Sequence, residues 1–106
     1  MTILLTPSSP VRDSAALLLD ALVWILSDGD RARRLLALTG LGPDDLRLRA
    51  GDSATLVAIG RFLGDYERDL VACAAALDSA PSALIMATQT LAGELAAGEL
   101  GSGEFE

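Results

Sequence analysis

Histidine does not occur in this 106-residue chain, and neither does lysine. The first absence removes the commonest general acid/base, the commonest metal ligand and the usual charge switch near neutral pH. The second leaves eight arginines as the whole positive complement, against fifteen carboxylates. A single cysteine, Cys73, excludes a disulfide within the chain and any cysteine-based metal cluster. Aromatics make up only 4% of the residues, so Leu, Ala, Val and Ile must build the core. The sequence holds no glycine-rich phosphate cradle and no spaced calcium loop. Its longest apolar run, Ala15 to Leu26, is broken by Asp20 and is too short to span a bilayer.

Apolar residues account for 51% of the chain, enough for one small folded domain. The net charge of −7 is unevenly placed. Residues 1–64 carry seven Arg and seven Asp, whereas residues 65–106 carry Arg68 alone against eight acids. An acidic chain repels phosphate backbones and anionic lipid at long range, so the expected partners include neither nucleic acid nor membrane. The opening "MTILLTPSSP" lacks the basic region of a secretory signal, and a cytoplasmic setting is the expectation.

Glycine, proline and capping residues divide the chain into six predicted helices. Ser9-Pro10 starts the first, over 10–27, whose "AALLLDALVWIL" is apolar nearly all round and predicts a central helix covered by its neighbours on most sides. Asp28-Gly29 ends it, and Asp30 is expected to cap a second helix over 31–39. Gly40 offers the left-handed residue that closes that helix, with Leu41 placed to pack back on Leu36. Pro43 starts a short third helix with Asp44 and Asp45 in its first turn. A fourth helix is predicted over 53–64, with Gly64-Asp65 breaking and recapping the chain. A fifth over 66–78 and a sixth from Pro81 to Ala97 follow. No strand pattern competes, so the expected fold is all-α: a compact bundle of five to six short helices in one domain, 10–97. Residues 1–9 read as an extension and the polar, acidic stretch 98–106 as a flexible tail.

Several groups could carry a function. The stretch "RLLALTGLGPDDLR" has the turn of a helix-turn-helix, with Gly40 at the bend and Leu36 and Leu46 on either side. A DNA-associated regulator is therefore one reading. Against it, Asp44 and Asp45 stand where a recognition helix meets bases and phosphates. Cys73 lies within "LVACAAAL", with no base to activate it, and reads as a small buried hydrophobe. In "GDYERD" the acids Asp65, Glu67 and Asp69 could bind a metal or do acid/base chemistry, but acids at a helix start also simply oppose its dipole. Arg31, Arg33 and Arg34 could receive an acidic partner, with Asp28 and Asp30 nearby as local neutralisers. Trp24 reads as a core anchor, or as an interface marker if exposed.

Two segments, "RLLALTGLGPDDLR" and "IGRFLGDYERDLVACAAAL", together resemble a family of small helical alphaproteobacterial proteins, domain of unknown function 3572. The resemblance spans roughly residues 15–80 and includes the T-G-L turn and the proline-started helix as well as the hydrophobic pattern. It implies a compact all-helical fold in a bacterial cytoplasm, and it carries no activity, cofactor or site residue with it.

The expectation is thus a non-enzymatic domain without cofactors or catalytic residues, acting through a protein partner or as a homodimer. Its contact residues are expected to be the stripe Leu84, Leu91 and Leu95 together with Arg31, Arg33 and Arg34. A DNA-associated regulator at Gly40 and an enzyme or metal site at Asp65–Asp69 are the alternatives.

Overall fold

A computed structural model of the chain describes the backbone of residues 10–104 and the side chains of residues 11–97. Six helices make up the described chain: α1 (Pro10–Leu26), α2 (Gly29–Thr39), α3 (Pro43–Arg49), α4 (Ser53–Asp65), α5 (Glu67–Ala76) and α6 (Pro81–Glu104). The all-α bundle expected from the helical periodicity is what forms. The backbone of α6 runs past Ala97, while the side chains of the predicted tail 98–106 and the extension 1–9 lie outside the described residues.

The core sits where α1, α4 and α6 pack on one another, with α5 against α6 and α2 against α1 and α4. Each helix commits one face to it. Helix α1 supplies Leu18, Ala21, Leu22 and Ile25 at the spacings that keep side chains on one side. Helix α4 supplies Leu56, Ile59 and Leu63, and α6 supplies Leu84, Ala87 and Leu91. Burying each large aliphatic side chain contributes about 1.5–3 kcal/mol before conformational entropy is set against it. The α4–α6 crossing is close because Gly60 has no side chain: a Cβ there would stand 2.8 Å from the Thr88 Cβ.

The turns follow from local hydrogen bonding. Asp28, with an extended backbone, accepts the Arg31 amide at 3.0 Å and caps α2. That corrects the expectation for Asp30. A side chain at the N-cap reaches the amide three residues on, whereas Asp30 is already inside the first turn and pairs with Arg33 instead. At the other end of α2, Gly40 takes φ 73° and donates its N–H to the Leu36 carbonyl at 2.9 Å. The Thr39 hydroxyl donates to the Leu35 carbonyl at 2.8 Å and accepts the Leu41 amide at 3.3 Å. Asp45 reaches back to accept the Gly42 amide at 3.1 Å, completing the start of α3.

The break between α4 and α5 falls at Tyr66, not at Gly64-Asp65 as expected, because α4 continues through Gly64 to Asp65. Gly64 is tolerated inside the helix at the modest cost glycine carries there. After α5 the chain reverses at Asp78, which holds a left-handed φ of 57°. Ser79 donates to the Ala74 carbonyl at 2.8 Å and Asp78 to that of Ala75 at 3.2 Å, a Schellman ending with aspartate where glycine is usual. The chain bends by 101° from α5 into α6, and no single helix among the described residues is long and apolar enough to cross a membrane.

Candidate functional site

An apolar groove runs between α1, α2 and α3. It encloses about 460 Å³ and has ten lining residues, of which nine are apolar. One wall is the outer face of α1, where Leu19 is 39%, Val23 63% and Leu26 44% exposed. Ala32 and Leu36 of α2 form the floor with the buried Leu22. Pro43, Leu46 and Ala50, on or just after α3, form the opposite wall, and Arg47 is the sole charged lining residue.

The sequence creates this groove by giving α1 more apolar surface than its neighbours cover. Its inner residues face α4 and α6 and α2 covers part of one side, but the seven-residue α3 packs closely on none of the other helices. Helix α1 is central as expected, packed against α2, α4, α5 and α6, but the stripe Leu19, Val23 and Leu26 is left uncovered. A helix of uniform apolarity can be buried all round or left with an unsatisfied stripe, and only the placement of α3 decides which. Leu19, Val23 and Leu26 are not among the contact residues that the sequence leads one to expect. Their spacing of four and three was present in the sequence, hidden among equally apolar neighbours.

The leucine stripe expected to serve a partner serves the core. Leu84 and Leu91 are buried, and Leu95 packs partly buried against the same cluster. The correction has a simple cause: a single apolar stripe on a helix is the side the rest of its own chain covers first.

The arginines are also engaged within the chain. Arg31 stacks its guanidinium 3.7 Å from the Trp24 ring centroid and donates to the Trp24 carbonyl at 3.2 Å. This accounts for Trp24 as a half-buried anchor that holds α1 to α2. Arg33 pairs with Asp30 on the exposed surface. Arg34 reaches 35 residues along the chain to Asp69 on α5, at 2.7 Å, with its guanidinium also 5.8 Å from the Tyr66 ring centroid. The fold thus brings two sequence candidates, the arginine cluster and "GDYERD", into contact with each other.

That contact spends Asp69 on Arg34, while Asp65 and Glu67 lie exposed at the end of α4 and the start of α5. Among the described residues, no group of three Cys, Asp or Glu side chains comes together in a way that could hold a metal ion. Cys73 is fully buried. Burial pushes its thiol up to about 11 from the ordinary value near 9, with Arg31 opposing the rise and Asp69 adding to it. At neutral pH the sulfur is therefore a protonated, space-filling group. The Asp28 carboxyl is held below its ordinary range chiefly by the Arg31 amide it accepts, as suits a helix cap.

At the helix-turn-helix-like bend, Leu46 is buried, while Asp44 and Asp45 are both exposed in the first turn of α3. Asp45 is occupied with the Gly42 amide, and Asp44 stands 3.7 Å from Arg47 on the surface. The T-G-L-G-P-D-D segment is consequently accounted for as a turn in which Thr39 and Asp45 accept the Leu41 and Gly42 amides and the Leu36 carbonyl accepts that of Gly40.

No curated protein and no solved structure matches this chain. The sequence model of one family, described as proteins of unknown function (DUF3572), matches residues 12–94. The turn over residues 39–45 and the α4–α5 pair both fall inside that match, and the chain belongs to this family.

Proposed function

We propose that this chain is a small non-enzymatic helical domain that works by protein–protein contact, and that the α1–α3 groove receives an amphipathic helix. One observation carries the reading: nine of ten groove-lining residues are apolar, and three large side chains of α1 stand part-exposed along the groove. Interface cores show this composition, depleted of charge except for arginine. An exposed apolar patch on so small a domain costs solubility unless something covers it. A helix fits the shape, because ridges at spacings of three and four residues seat between two helical walls.

The chemistry of the remaining candidates supports the same reading. Cys73 lacks a base and is protonated at neutral pH, Asp69 is paired with Arg34, and the arginines are tied to Trp24, Asp30 and Asp69.

The test places a photo-cross-linking side chain at Val23 in the full chain, expressed in its host. Met86 is the control, since both positions are 63% exposed. The reading expects a discrete protein adduct from position 23 and none from position 86. Equal adducts from both, or none from position 23, would overturn it.

A further inference from the structure

We infer that the occupant of the groove is α1 of a second copy of this chain, packed antiparallel about a two-fold axis near Val23. The inference rests on the groove reading above and names its partner. In a two-fold interface the same patch serves both copies, so a candidate patch must contain the receiving surface and the part received. This face does. The wall formed by Leu19, Val23 and Leu26 is itself a helical seam, spaced four and three residues apart as in paired helices. Val23 is the middle residue of that seam and the most exposed of the three.

Charge also matches the face to its own copy. The sole charged lining residue is Arg47, on the α3 wall. Asp20 is exposed beside the seam on α1 and makes no ion pair among the described residues. In an antiparallel pair centred on Val23, Asp20 of one copy stands opposite Leu26 of the other, which lines the same groove as Arg47. This occurs once on each side of the axis. Arg47 has only a long surface contact to Asp44, at 3.7 Å, to give up. A chain of net charge −7 would ordinarily resist self-association. The segment Pro10–Arg49 that builds this face nevertheless balances six arginines against six aspartates, and the excess acid lies beyond it.

The experiment is sedimentation velocity of the purified full chain across a micromolar dilution series, with helix content checked by circular dichroism. The wild type is expected to approach twice its 11.0 kDa mass as concentration rises. Val23→Glu, which buries a charge in the seam, is expected to weaken the dimer by about a hundredfold. Asp20→Arg and Arg47→Asp, both at exposed positions, are each expected to weaken it roughly tenfold, and the double reversal to restore it. A dimer indifferent to Val23→Glu, or a double reversal no better than the singles, overturns the inference. So does a wild type that stays monomeric throughout. If that monomer still gives a position-23 adduct with a different protein, the second copy fails and the groove reading stands. If it gives no adduct, both fail.

Discussion

Gly60 on α4 faces Thr88 on α6 with no room for a side chain between them: a Cβ at Gly60 would lie 2.8 Å from the Thr88 Cβ and 2.9 Å from its Cγ2. The Thr88 hydroxyl donates to the Leu84 carbonyl at 2.9 Å, so the residue cannot simply swing aside without losing that bond. Glycine elsewhere in a helix is a liability, and replacing it with alanine ordinarily stabilises by about 0.5–1 kcal/mol. Here overpacking opposes that gain.

Gly60→Ala is therefore expected to destabilise the fold by about 1–3 kcal/mol. Thr88→Gly in the Gly60→Ala background should recover part of the loss, and urea unfolding of the single and double variants measures the coupling. A Gly60→Ala variant as stable as the wild type would show that the two helices can separate at no cost.

Arg31 binds α2 to α1 through its stack on Trp24 and its bond to the Trp24 carbonyl. Lysine keeps the charge but lacks the planar fork that does both. Arg31→Lys is expected to cost about 1–2 kcal/mol and to shift the emission of the single tryptophan to longer wavelength as water replaces the guanidinium. Arg33→Lys, at the exposed pair with Asp30, should cost at most about 0.5 kcal/mol and leave emission unchanged.

Cys73 predicts a pH dependence. Its value is raised on folding, so the thiol's contribution is fully present below the unfolded value near 9 and is lost as pH climbs towards about 11. The unfolded chain releases the proton more readily, and alkali draws the equilibrium that way. Unfolding midpoints should fall across this window in the wild type and fall less in Cys73→Ala. An identical decline in both proteins would contradict the assignment. In the native protein at neutral pH, thiol reagents should label Cys73 only as fast as the core opens.

Much of this fold is legible in the sequence because helix ends are chemical events. Gly40 and Pro43 mark a stop and a start that the structure reproduces, down to the left-handed φ of 73° at Gly40. The structure departs from the sequence reading by one or two residues at two helix ends: Asp28 rather than Asp30 caps α2, and Tyr66 rather than Gly64-Asp65 separates α4 from α5. Spacing alone does not decide them, because the cap and the break fall where the backbone leaves helical geometry, at Asp28 and at Tyr66.

The candidate site was less legible for a different reason. Leucine stripes on α1 and α6 look alike in a sequence, yet Leu84 and Leu91 face inwards while Leu19, Val23 and Leu26 border open groove. What separates them is which faces the other helices reach, a consequence of the bends at Asp28, Gly40 and Asp78 together. The Arg34–Asp69 pair was hidden in the same way, its partners lying 35 residues apart on different helices.

If the α1 seam meets its own copy, a cysteine placed at its centre pairs with its symmetry mate. Val23→Cys and Met86→Cys place thiols at positions of equal exposure, 63% each, in a background where the native Cys73 is buried. A disulfide needs Cα atoms within about 7 Å, a separation the inferred two-fold axis provides at Val23 and not at Met86. Under mild oxidation at micromolar concentration, Val23→Cys should form a covalent dimer rapidly and Met86→Cys slowly. Equal rates for the two variants would show that α1 does not pair with its copy at Val23.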